Sequence, residues 1–122
     1  YAHSDLVNYQ GDLGRLAFGN AYLCQLMTDE RKAGKHSAGQ IIDVRYADLM
    51  RDPVAAVGAL YQQWGIPFND EFATYIREYC AAKPRGKHGA HSYSFADTGL
   101  NLEEERAKYR EYQAYFGVPS EV

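Results

Sequence analysis

The sequence has no long apolar run. Its longest strictly apolar stretches are a few residues, which excludes a signal-peptide core and a membrane-spanning helix of the usual length. It is also short of cysteine: Cys24 and Cys80 stand far apart in helix-like patterns, without the paired spacing of a zinc or redox site. Both read as buried reduced thiols, and no metal is expected. Neither sign of charge dominates, since 13 Lys and Arg are interspersed with 16 Asp and Glu for a net charge of −3. That balance excludes a general electrostatic footprint for nucleic acid or an anionic membrane, so any anion site has to be local. What remains is a soluble, cytoplasmic protein whose 122 residues suffice for one domain with a small core.

The chain opens on Tyr1 without an initiator methionine and runs at once into a polar stretch, which reads as the continuation of something longer. From Asp5 to about Thr28, Leu6, Leu13, Leu16, Ala17, Leu23 and Leu26 recur at near-helical spacing, interrupted by Gly11, Gly14 and Gly19. Residues 29–39 are charged, glycine-containing and nonperiodic, as in a loop. Gln40-Ile41-Ile42-Asp43-Val44-Arg45-Tyr46 then supplies the one convincing strand, and helical patterns on both sides of it argue for a parallel α/β sheet. Asp52-Pro53 has the form of an N-cap with a first-turn proline, with Val54, Val57, Leu60, Tyr61 and Trp64 marking one helical face up to Gly65. A further helix is predicted from about Asp70 to Ala82, burying Phe72, Tyr75, Ile76 and Tyr79. Asn101 and Glu104 have capping-box spacing and open a last helix towards Phe116. A lone strand leaves its backbone donors and acceptors without partners. The rest of the sheet is therefore expected in an upstream half of the same protein or in a partner chain, and the present piece should expose an apolar surface.

Two segments could carry chemistry. Lys83-Pro84-Arg85-Gly86-Lys87-His88-Gly89-Ala90-His91-Ser92-Tyr93-Ser94 holds three fixed cations and two glycines but no acid, the nearest carboxylates being Glu78 and Asp97. Glycines let backbone N–H groups face an anion, Arg85 offers a fork and Lys87 a point charge, a combination suited to a phosphate monoester. The other segment is Asp43 to Pro53, where the expected strand ends in a polar turn entering a proline-started helix. Nucleotides favour the crevice outside the carboxyl ends of strands, and Tyr46 stands there with a ring able to stack on a base. Taken alone, a solvated basic loop and an ordinary strand-end tyrosine account for the same residues.

Together the segments bring a family into view. Tyr46-Ala47-Asp48-Leu49 followed by Asp52-Pro53 resembles the Tyr-Glu-Asp-Leu…Asp-Pro segment of sulfotransferases of the bacterial P-loop type. Pro84-Arg85-Gly86-Lys87-His88-Gly89, with His91 and Tyr93-Ser94 behind it, is similar to their C-terminal phosphate loop. Val57…Leu60-Tyr61…Trp64-Gly65-Ile66-Pro67 and the ending Tyr115-Phe116-Gly117-Val118-Pro119 also look like that family. The resemblance extends from about Gln40 to Val118 and is weak before that. Two departures stand out: Ala47 replaces the family's Glu, and no Gly-rich loop with Lys-Ser/Thr behind it occurs in these 122 residues.

The resemblance implies the C-terminal portion of a P-loop-type parallel-sheet fold, and transfer of a sulfuryl group from 3′-phosphoadenosine 5′-phosphosulfate to a hydroxyl or amine acceptor. It implies Tyr46 against the adenine, Arg85 and Lys87 on the 3′-phosphate, Gly86 and Gly89 permitting close backbone approach, and His88 beside the phosphate. The family's base and its donor-loop Lys lie upstream, so no catalytic residue is assigned within the chain and these residues alone are not expected to catalyse. The partners implied are a small-molecule, glycan or lipid acceptor and the upstream half of the protein, and the exposed apolar surface would also suit a homo-oligomer. A second reading is a non-enzymatic helical binding or assembly module, its basic loop serving an acidic partner and its strand edge taking up another strand. A nucleic-acid role ranks behind both, since one basic loop makes few phosphate contacts.

Overall fold

The computed structural model describes residues 9–84 and 94–121. Among them the elements are α1 (Tyr9–Lys32), α2 (Tyr46–Arg51), α3 (Pro53–Gln63), α4 (Asp70–Ala82), a 3-10 turn (Phe95–Thr98) and α5 (Leu102–Phe116). They divide into two compact units, residues 1–35 with 92–122, and residues 36–91.

In the first unit α1 packs on α5. Helix α1 runs unbroken through Gly11, Gly14 and Gly19 and continues four residues past the Thr28 expected to end it. Arg31 and Lys32 in its last turn favour the negative end of the helix dipole. It stops at Gly34, whose φ of 65° lets Lys35 N–H reach the Glu30 carbonyl at 3.2 Å and Gly34 N–H that of Arg31 at 3.1 Å. The contact face carries Ala21 and, seven residues on, the fully buried Thr28, each four residues before Gln25 and Lys32 respectively, at helical spacing. Thr28 satisfies its hydroxyl by donating to the Cys24 carbonyl at 2.8 Å. Burial pushes the Cys24 thiol upward, and burial followed by the neighbouring Cys24 and Glu105 does the same to the Tyr109 phenol.

At the rim of this pair Glu111 of α5 accepts from Lys32, and from Gln25 at 2.8 Å. Arg31 lies over the Phe116 ring and Lys32 over the Tyr115 ring. The rest of α1 is unusually apolar at the surface: Leu16, Phe18, Tyr22 and Leu23 are each about 60% exposed or more. The expected exposed apolar surface is therefore present. Asn101 opens α5 as expected, its side chain accepting from Glu104 N–H at 3.1 Å.

In the second unit α3 packs on α2 and α4. Tyr61 of α3 meets Phe68 and Phe72 at centroid distances of 5.5 Å, and Phe68 meets Phe72 at 5.7 Å. Asn69 caps α4 through Phe72 N–H at 2.8 Å. The buried side of α4 is narrower than its pattern suggests: Ala73 is buried, while Tyr75 and Tyr79 are 60% and 52% exposed. Tyr79 instead lies under the Lys83 ammonium of its own helix end, 4.8 Å from the ring centroid. Cys80 is exposed rather than buried: it lies on the Ala73 side of α4 two turns further on, where it lines an open cleft with Asp52 and Pro53 instead of a packed surface.

The strand expected over residues 40–46 is not formed; no described residue is in a strand. Residues 40–45 are non-helical, with Arg45 extended at φ −76° and ψ 133°, but a strand needs a hydrogen-bonding neighbour and none of the described residues provides one. Tyr46 is already the first residue of α2. No described helix is long and apolar enough to cross a membrane.

Two outcomes test this packing. Hydrogen bonds from Lys32 and then Gln25 hold the Glu111 carboxyl below the ordinary carboxylate range. A carboxyl lowered on folding contributes stability above its unfolded pKa and loses it as pH falls through the folded value. Acid thermal unfolding of the wild type should therefore lose this contribution below about pH 4, and Glu111→Gln should flatten that part of the profile. A Cβ built on Gly19 meets nothing within 4 Å. Gly19→Ala should accordingly stabilise by about 0.5–1 kcal/mol in denaturant titration. Destabilisation would mean that another surface approaches α1 there.

Candidate nucleotide-binding turn

The turn at residues 45–53 is built around Asp52. Its N–H closes α2 on the Asp48 carbonyl at 3.1 Å, and its own carbonyl accepts the first α3 bond, from Ala56 N–H at 3.0 Å. Its carboxylate caps α3 through Ala55 N–H at 3.0 Å. Asp52 itself lies outside both helices at φ −151° and ψ 89°, and Pro53 follows at the first helical position, where a missing N–H costs nothing. Two helices are thereby joined through one residue. Across α2, Arg51 pairs with Asp48 at 2.8 Å. Ala47, which replaces the Glu of the resembling motif, is exposed. The turn is secured by the Asp52 carboxylate, with Asp48 paired to Arg51 three residues on.

Tyr46 is 64% exposed at the start of α2, a ring presented to solvent rather than packed. Beside it an open cleft of about 220 Å³ lies between the extended segment and α3, lined among others by Ile42, Val44, Asp48, Ala56 and Leu60. Tyr46 does not line that cleft. A ring so placed can stack on a planar ligand.

The second half of the expected site cannot be placed beside it: Arg85, Gly86, Lys87, His88 and Gly89 lie outside the described residues, as do His91 and Tyr93. Lys83, at the edge of that segment, donates to the Tyr79 hydroxyl at 3.5 Å. One contact escaped the pattern reading. Trp64, expected on the packed face of α3, is 46% exposed, and its indole N–H donates to the Gly39 carbonyl at 2.8 Å. Periodicity cannot signal such a bond, since it joins a helix end to a loop 25 residues earlier.

The sulfotransferase family model matches residues 3–70. The match takes in α1, where the motif resemblance is weak, and the whole turn from Arg45 to Pro53. It ends before the basic loop at 83–94. No curated protein and no solved structure matches the chain.

The Asp52 cap gives a direct test of the turn. Asp52→Ala removes one N-cap acceptor and should cost about 1 kcal/mol in chemical denaturation, whereas Asp52→Asn, which keeps an acceptor oxygen, should cost much less.

Proposed function

The chain belongs to the sulfotransferase family, and we propose that it supplies the adenine and 3′-phosphate contacts of an enzyme using 3′-phosphoadenosine 5′-phosphosulfate. The observation that carries the reading is the family match across the turn that leaves Tyr46 exposed. Tyr46 would lie against the adenine. Arg85 and Lys87 would neutralise the 3′-phosphate, Gly86 and Gly89 would admit its oxygens to the backbone, and His88 would stand beside it.

The co-substrate supplies the sulfuryl group: its sulfur–oxygen bond to the 5′-phosphate breaks as the acceptor oxygen or nitrogen bonds to sulfur and gives up its proton, leaving 3′,5′-adenosine bisphosphate. The chain's own part is to bind and orient. Holding the nucleotide at adenine and 3′-phosphate fixes the far end of the donor, so that binding energy away from the reacting sulfur contributes to its orientation. The Gly-rich donor loop is absent from these 122 residues, and in this reading residues outside them provide it, together with the base and the strands that would pair with residues 40–45 to make an α/β sheet. The absence of a strand at residues 40–45 among the described residues and the exposed apolar side chains of α1 support that arrangement. The acceptor class follows as a hydroxyl or amine compound.

Calorimetric titration of the full-length protein with 3′,5′-adenosine bisphosphate, with AMP as control, tests the reading. Tighter binding of the bisphosphate is expected, Arg85→Ala and Lys87→Ala each weakening it by about 1.5–3 kcal/mol without affecting AMP to the same degree. Equal affinity for the two nucleotides would overturn the assignment and leave the helical assembly module.

A further inference from the structure

We infer that the open cleft at the start of α3 binds an oxyanion group, held by Arg51 of α2 and Arg77 of α4. A carboxylate, phosphate or sulfate carried on a small molecule is the class of ligand it takes. The cleft, of about 450 Å³, is lined also by Asp52, Pro53, Val54 and Cys80. Tyr46 does not line it, so the site stands apart from the nucleotide contacts proposed above.

The pairing of α3 with α4 brings these groups together. Tyr61, near the end of α3, meets Phe72, near the start of α4, at 5.5 Å. The later turns of α4 therefore run back beside the first turn of α3. Along one side of α4, Ala73, Arg77 and Cys80 follow at spacings of four and three residues. Ala73 is buried, and the two residues beyond it line the cleft with Pro53 and Val54. Arg51 joins them as the last residue of α2, directly before Asp52.

Donors in this cleft outnumber acceptors. The Arg77 guanidinium makes no hydrogen bond or ion pair with the described residues. Arg51 donates to Asp48 at 2.8 Å, but a guanidinium carries five N–H groups, and Asp48 does not line the cleft. Val54, the second residue of α3, has no intrahelical acceptor for its N–H. Asp52, the acid in the lining, already accepts from Ala55 N–H at 3.0 Å. Two guanidinium groups against one engaged carboxylate leave the cleft with an excess of positive charge, and their forked donors match the paired oxygens of an oxyanion.

The Cys80 thiol reports on the cleft from within it. In the full-length protein the anionic disulfide dithiobis(nitrobenzoate) should modify Cys80 faster than the cationic disulfide cystamine does, each rate being taken relative to a neutral small thiol. Arg77→Ala should cut that advantage by about two- to five-fold, and Arg77→Lys should keep part of it. Sodium sulfate should slow the anionic reagent more than sodium chloride of equal ionic strength, and that protection should vanish in Arg77→Ala. Cys80→Ser separates the modified thiol from Cys24. An anionic advantage untouched by Arg77→Ala, or sulfate that protects no better than chloride, would overturn the site. So would a Cys80 that reacts with neither reagent, since the cleft would then be closed in the whole protein.

Discussion

Within residues 36–91 the structure depends on the break at Asp52. One residue ends α2 with its N–H, begins α3 with its carbonyl and caps α3 with its carboxylate. Because all three bonds belong to the same residue, the two helices have no loop through which their mutual angle could drift. The proline behind it fixes φ at the first helical position and removes a donor that would otherwise need a partner. Tyr46 and the extended segment before it therefore take their place from α3, and α3 takes its own from the aromatic contacts of Tyr61 with Phe68 and Phe72.

Packing is thin elsewhere. The buried apolar residues among those described are Ala21 and Ala73, and large side chains such as Leu16, Phe18 and Leu23 face solvent. Polar and cationic contacts at the rim, Glu111 with Lys32 and Gln25, and Arg31 over Phe116, hold the edge of the α1 and α5 pair. Such solvent-facing contacts are individually weak and fix geometry more than they stabilise. Exposed apolar side chains in such number commonly mark an interaction surface.

Much of the local structure was legible because its causes are local. Asp52-Pro53, Asn101 with Glu104, and the spacing of Phe72 and Ile76 announce helix starts and faces through bonds made within one or two turns. The extent of α1 was less legible: Gly11, Gly14 and Gly19 weaken a helix only by propensity, and its pairing with α5 overrides that. Residues 40–46 were read as a strand from their β-branched and aromatic content and the helical patterns on both sides. Side-chain preference can extend a backbone, but a strand requires a neighbour's N–H and C=O groups.

For the candidate site the division is similar. Sequence by itself determined the chemistry on offer, a tyrosine at a polar turn and an acid-free run of Arg85, Lys87 and glycines, because charge and hydrogen-bonding capacity belong to the residues wherever they lie. It also determined the family motifs at Tyr46 to Pro53. Only the tertiary structure decided that Ala47 faces solvent, that residues 40–45 form no strand among the described residues, and that the Trp64 indole reaches the Gly39 carbonyl. These depend on which distant groups are left within hydrogen-bonding distance once the helices have packed, and no periodicity in the chain encodes that distance.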